Sequence, residues 1–154
     1  MSFLWLADRV VVVVASGGAF IRIGNFFNSE IVGKPTDLPW GIIFPRTHAL
    51  PAMVPRHPSM LYEALLCILT FILLWVIYKR YKTTPPEGSL FGIFLVFLFG
   101  GRFFLEYFKA DQAAFATGLF SMGQWLSIPL IIAGIWVLVK KVQWANNDRK
   151  MAPN

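Results

Sequence analysis

Apolar residues in this chain fall into long uninterrupted blocks, not into alternating or amphipathic stripes. Four blocks stand out: Val10–Phe27, Leu61–Tyr78, Leu90–Phe108 and roughly Leu119–Val139. A helix needs about 20 such residues to cross a hydrocarbon core of about 30 Å. The pattern predicts an all-α integral membrane protein, a bundle of about four transmembrane helices forming a single domain over residues 1–154. Polar connections separate the blocks: a long segment 28–60, a turn at 79–89 containing Thr83–Ser89 (TTPPEGS), and a tail at 140–154. Pro129 lies inside the fourth block, where neighbouring helices can re-satisfy the backbone it disrupts. The first block lacks a basic leader and a small-residue cleavage site, so no cleavable signal peptide is expected.

Composition agrees, with 56% hydrophobic and 14% charged residues, outside the range of an ordinary soluble domain. The net charge of +6 reads as a topology signal. Lys79, Arg80 and Lys82 follow the second block, and Lys140, Lys141, Arg149 and Lys150 follow the fourth. The positive-inside rule puts both groups and both termini in the cytoplasm, with 28–60 and 109–118 outside. Anionic lipid heads would add attraction. No nucleic-acid motif is present, so no nucleic-acid partner is expected. Cys67 stands alone in an apolar helix, which suggests neither disulfide nor metal chemistry. No cofactor is expected.

Two arginines interrupt the apolar blocks. Arg22 lies twelve residues beyond Val10, and Arg102 lies twelve beyond Leu90. Each costs roughly 2.5–3.5 kcal/mol at bilayer depth on insertion scales, so each is a default functional candidate. At 1.5 Å per residue both sit about 18 Å from the inner boundary, toward the outer leaflet. The second helix runs the opposite way, which brings His57, Tyr62 and Glu63 to the same level. Arg22, Asn25 and Ser29 share a face if the first helix extends that far. Arg102, Glu106 and Lys109 form a second stripe, so Glu106 can reach either cation. The structural alternative is that Arg102 and Glu106 only lock the bundle. Gly17, Gly18, Gly24, Gly100 and Gly101 leave room for close helix approach.

The segment Arg22-Ile-Gly-Asn-Phe-Phe-Asn-Ser-Glu-Ile-Val-Gly33 resembles the signature of the bacterial prolipoprotein diacylglyceryl transferases, roughly R-x-G-N-F-x-N-x-E-x-x-G. Pro39–Pro45 (PWGIIFP), Arg56–Glu63 (RHPSMLYE), Gly101–Glu106 (GRFFLE) and Ser121–Pro129 (SMGQWLSIP) are similar to further family segments in the same order. The resemblance implies transfer of the diacylglyceryl group of phosphatidylglycerol to the lipobox cysteine thiol of a prolipoprotein. That reaction takes place at the outer face of the bacterial inner membrane. It forms a thioether and releases glycerol phosphate.

The resemblance, joined to the chemistry of the residues, assigns roles. Displacing a phosphodiester from carbon develops negative charge on the leaving oxygen, which fixed cations stabilise. Arg22 would bind the phosphatidylglycerol head, with Arg102 assisting phosphate binding or the leaving group, since the guanidinium fork suits phosphate. Asn25 and Asn28 would donate to lipid oxygens or hold the turn that leads to Gly33. Glu30 and Glu106 would orient the arginines. His57 is the best base for the substrate thiol, or else an anchor of the His-Pro-Ser turn; His48 has no motif around it. Tyr62 and Glu63 would support the site from behind, Glu63 by bonding a neighbouring helix end. Lys109 stands where many family members carry arginine, which keeps the charge and loses the fork.

The family's His-Gly-Gly segment has no counterpart here, so the resemblance is to the C-terminal part of a larger fold. An incomplete gene model, a split enzyme whose partner chain supplies the missing N-terminal half, and a degenerate copy all fit, and the intact motifs favour the first. The rival function is a non-catalytic lipid- or anion-binding or transport protein. A transporter would be expected to show repeats or broken helices in matching positions, and none is visible.

Overall fold

The computed structural model describes residues 2–82, 84–109, 120–140 and 142. Among these, helix α1 spans Phe3–Asn28, α2 Ser59–Arg80, α3 Ser89–Leu105 and α4 Met122–Lys140. All four are long and apolar enough to cross a membrane, α3 together with the 3-10 turn Glu106–Phe108 that follows it. Large apolar side chains such as Phe20, Phe104 and Val139 project outward, as they would toward lipid. The start assigned to the fourth span at Leu119, most of the segment 109–118, and Lys141, Arg149 and Lys150 lie outside the described residues.

Helix α3 is the centre of the bundle and packs against α1, α2 and α4. The core joins Val11, Ala15 and Ala19 of α1 to Cys67 and Leu74 of α2 and to Leu90, Phe94, Leu95 and Leu98 of α3. Small residues let α3 and α4 approach closely. A Cβ on Gly134 of α4 would lie 2.8 Å from the Leu95 Cβ of α3, and one on Gly92 would lie 2.6 Å from Leu138. Close packing of this kind drives helix association where lipid removes the hydrophobic gradient.

The first helix begins seven residues before the apolar block, at Phe3 and not at Val10. Ser2 caps it by accepting the Trp5 N–H at 3.2 Å. Asp8, which the apolar pattern excludes, is buried inside it because it caps a different helix. Its two carboxylate oxygens accept the N–H groups of Gly88 and Phe91, each at 2.7 Å. These are donors at the start of α3 that no local side chain satisfies. Gly88 adopts φ +86° there, a conformation that favours glycine.

Helix α4 opens on a capping box. Ser121 Oγ accepts the Gln124 N–H at 3.3 Å, and Gln124 Oε1 accepts the Ser121 N–H at 3.0 Å. The Gln124 amide also donates to the Phe103 carbonyl at 3.2 Å, tying α4 to the end of α3. Pro129 lies inside α4, which continues through it to Lys140.

The segment between α1 and α2 is ordered by a small antiparallel pair, β1 (Ile42–Ile43) with β2 (Pro55–Arg56). Val32, Phe44 and Met60 form a second small core beneath it. Arg56 is buried and donates to the carbonyls of Gly33 at 3.1 Å and Pro51 at 3.0 Å, so this loop is closed by a guanidinium.

Candidate functional site

The signature segment is a helix stop. At the end of α1, Ser29 takes a left-handed conformation with φ 58°. The Glu30 N–H bonds the Asn25 carbonyl at 2.9 Å and the Ser29 N–H bonds the Phe26 carbonyl at 3.2 Å. This is the Schellman arrangement, with serine in the position usually given to glycine. The stop turns the chain back across the ends of α2 and α3. The helix therefore ends at Asn28, so the predicted stripe of Arg22, Asn25 and Ser29 stops at Asn25, and Ser29 belongs to the cap. Ile31 follows with φ 55°, a strained conformation for a β-branched residue. Ser59 Oγ holds the turn by donating to the Ile31 carbonyl at 2.9 Å.

The stop delivers Gly33 into a three-way junction. Its N–H bonds the His57 carbonyl at 2.9 Å, the Lys34 N–H bonds the Phe108 carbonyl at 2.9 Å, and Gly33 pairs with Lys109. A Cβ at Gly33 would lie 2.5 Å from the His57 oxygen and 2.6 Å from the Phe108 oxygen. Any side chain there would pry apart the segments that carry His57 and Lys109.

Three cations converge on one buried carboxylate. Glu63, near the start of α2 and 3% exposed, lies 2.7 Å from Arg22 Nε, 2.7 Å from Lys109 Nζ and 3.9 Å from Arg102 Nε. Neither Glu63 oxygen meets hydrogen-bond geometry with these groups, so the contacts hold by charge more than by aligned bonds. Lys109 is also 3.5 Å from Glu106, which places it between two carboxylates. Arg22 is fixed twice. With the Asn25 amide oriented to satisfy its neighbours, Asn25 accepts from Arg22 Nη1 at 3.2 Å and donates to Glu30 at 3.1 Å. Arg102 is held most loosely: its side chain is 34% exposed and lies over the Phe99 ring at 5.9 Å. Among the described residues no acceptor occupies its Nη atoms, leaving the guanidinium fork open.

An aromatic group borders the cluster. Trp40 Nε1 donates to the Tyr62 hydroxyl at 2.9 Å, and that hydroxyl is 3.0 Å from His57 Nδ1. Phe108 packs edge-on against both rings.

The arrangement is an open guanidinium beside two anchored cations within the helix bundle, with the Phe99 ring under Arg102. Such a guanidinium can bind an oxyanion bidentately. A model of one protein family, prolipoprotein diacylglyceryl transferase, matches residues 1–140. The chain belongs to the prolipoprotein diacylglyceryl transferase family.

Among curated relatives, the phosphatidylglycerol–prolipoprotein diacylglyceryl transferase of Tolumonas auensis is 49% identical over 138 residues, 89% of this chain and 52% of the relative. The enzyme of the same name from Protochlamydia amoebophila is 42% identical, covering 95% of this chain and 39% of the relative. That of Chloroherpeton thalassium is 40% identical, covering 96% and 54%. The chain spans about half the length of the curated relatives it matches.

Within this family member, the structure brings together Arg22, Asn25, Glu30, Glu63, Arg102, Glu106 and Lys109, and sets His57 and Tyr62 beside the Gly33 junction. One reading from sequence needs correction and a second is narrowed. Glu63 does not simply bond a helix end; it is the centre of the charge cluster. Of the two cations within its reach, Glu106 lies at ion-pair distance from Lys109 and not from Arg102, although its N–H still bonds the Arg102 carbonyl in helical fashion. In the 3-10 turn Glu106–Phe108 residues three apart eclipse one another, which favours the Lys109 contact. Asn28 is an exposed end residue of α1. Trp40 and Arg56 also take part, and the sequence alone does not single them out. The family-like segments containing them were the available signal, but their partners lie far away in sequence.

Proposed function

We propose that this chain carries the phosphate-binding part of a phosphatidylglycerol–prolipoprotein diacylglyceryl transferase. The supporting observation is the open Arg102 fork beside Arg22 and Lys109, all gathered on buried Glu63. In the reaction, the lipobox cysteine thiolate attacks the glycerol C3 carbon of phosphatidylglycerol. The carbon–sulfur bond forms, the C3–oxygen bond breaks, and the pair of electrons leaves on glycerol phosphate. Arg102 and Arg22 stabilise the charge gathering on that phosphate. Asn25 holds Arg22 in line, with Glu30 behind it. Asn28, at the exposed end of α1, is a further donor to lipid oxygens. Glu106 acts through Lys109.

His57 is the proposed acceptor of the thiol proton. In the tautomer with the proton on Nδ1, donated to Tyr62, no described residue takes the Nε2 lone pair, and the hydroxyl steadies the imidazolium that forms. Gly33 keeps these segments in register. The lipid bilayer, phosphatidylglycerol and the prolipoprotein lipobox are the proposed partners, together with the N-terminal half that the longer relatives supply. The proposed setting is the bacterial inner membrane, with both ends of the chain cytoplasmic and the cluster toward the outer face.

The test is reconstitution with phosphatidylglycerol and a lipobox peptide, read by mass spectrometry for the thioether. The chain is assayed alone and with the unmatched part of the Tolumonas auensis relative. Product on complementation, lost in Arg102→Ala, is expected. No product in either arm, together with anion uptake into vesicles, would establish the transport reading instead.

A further inference from the structure

The cluster has a charge count that its proposed ligand has to meet. Arg22, Arg102 and Lys109 face Glu63 and Glu106, three cations against two carboxylates, so one net positive charge remains. Glu30 is exposed and reaches the group only through the Asn25 amide. Lys109 is consumed by the two carboxylates, and Arg22 is held by Glu63 and Asn25. The remaining charge resides on the loosely held Arg102.

We infer that Glu63 is a specificity-determining residue that trims the three cations to accept a lipid phosphate bearing one negative charge and to disfavour one bearing two. The inference rests on the phosphate-site reading above. A phosphodiester headgroup carries one charge and is balanced by the cluster. A phosphomonoester headgroup carries about two above its second pKa of about 6. Its second charge would remain without a counter-charge at a depth where uncompensated charge is costly. The same balance favours turnover. The diester is monoanionic, whereas the glycerol phosphate released is a monoester that takes the second charge with the leaving electron pair. A site of three uncompensated cations would hold that product more tightly than the substrate.

The experiment titrates short-chain phosphatidylglycerol and short-chain phosphatidic acid into the full chain in zwitterionic detergent at a pH of about 8.5, where the monoester is dianionic. The wild-type chain is expected to bind the diester more tightly; a preference for the monoester overturns the inference. Glu63→Gln is expected to shift the ratio of dissociation constants about tenfold toward the monoester, as one extra unit of nearby charge implies. Glu63→Asp should keep the wild-type ratio. An unchanged ratio in a folded Glu63→Gln chain overturns the inference.

If Glu63→Gln fails to fold, Glu63→Gln with Lys109→Met restores one net charge and should keep the diester preference. A monoester preference there counts against the charge count. Arg102→Ala separates the two levels. If it binds both lipids as well as the wild type, the phosphate-site reading itself fails; if it loses both while Glu63→Gln leaves the ratio unchanged, only this inference fails. The acyl-free glycerophosphodiester is expected to bind at least about tenfold more weakly than the lipid, and equal binding would overturn a lipid as the source of the phosphate.

Discussion

Replacing Arg102 with lysine isolates geometry from charge. Both side chains carry one positive charge, but only arginine presents two parallel N–H donors to a phosphate. Arg102 Nε is 3.9 Å from Glu63, and no described acceptor takes its Nη atoms, so the fork is available in full. Lysine at this position keeps the Coulomb attraction and loses one of two charge-assisted hydrogen bonds, each worth about 1.5–3 kcal/mol. With the side chain 34% exposed, solvent competes for these bonds, so the lower half of that range applies. A loss of about 1.5–2 kcal/mol corresponds to roughly ten- to thirtyfold weaker binding of short-chain phosphatidylglycerol. Titration of the purified chain in zwitterionic detergent reads this directly, with the retained affinity for a neutral lipid as control. A dissociation constant within twofold of wild type would refute the claim that the fork, and not the charge, does the binding.

Other substitutions probe the supporting structure. Asp8→Asn keeps one acceptor and loses the other bond and the charge at the α3 N-terminus, costing about 2–4 kcal/mol in denaturant unfolding, and an effect below about 0.5 kcal/mol would count against the cap. Gly33→Ala should lower the unfolding midpoint and abolish activity of the complemented enzyme, because its Cβ would sit 2.5 Å from the His57 oxygen; wild-type activity would mean the junction yields. Tyr62→Phe removes the partner of His57 Nδ1 and should reduce kcat about tenfold with KM little changed. A change in KM alone would instead assign Tyr62 to lipid binding. Ser59→Ala releases the strained Ile31 turn and is expected to cost about 1 kcal/mol in the same unfolding assay.

Much of this was legible from apolar run length. The four blocks correspond to the four helices, and the two interrupting arginines do meet near one level. The signature residues Arg22, Asn25, Glu30 and Gly33 gather where the first helix stops. What was not legible depends on distant pairing. Asp8 reads as a residue outside the membrane helix until its partners, Gly88 and Phe91, are known. Glu63 lies on α2 while its cations come from α1 and from α3 and its extension, so no spacing within one helix could reveal it. Helical spacing offers Glu106 two cations, and only the placement of the side chains at the 3-10 turn decides that Lys109 is the one it meets. Arg56 and Trp40 act in a loop whose geometry depends on the β1–β2 pair and the Gly33 junction.

The buried Asp8 has a consequence beyond capping. It ties α1 to the start of α3, while Glu63 ties α1 and α3 together at their other ends through Arg22 and Arg102. From Asp8 to Arg22 is 22 − 8 = 14 residues, and from Ser89, where α3 begins beside the Gly88 tie, to Arg102 is 102 − 89 = 13, so the two helices cover nearly the same rise, about 21 and about 20 Å, between the ties. The two helices are rungs-and-rails partners whose lengths are not independent. Inserting one residue in either would advance its arginine by about 1.5 Å and turn it by about 100° relative to the other. The spacing of the two guanidinium groups is thus gauged at the opposite end of the bundle, by a carboxylate that never approaches them.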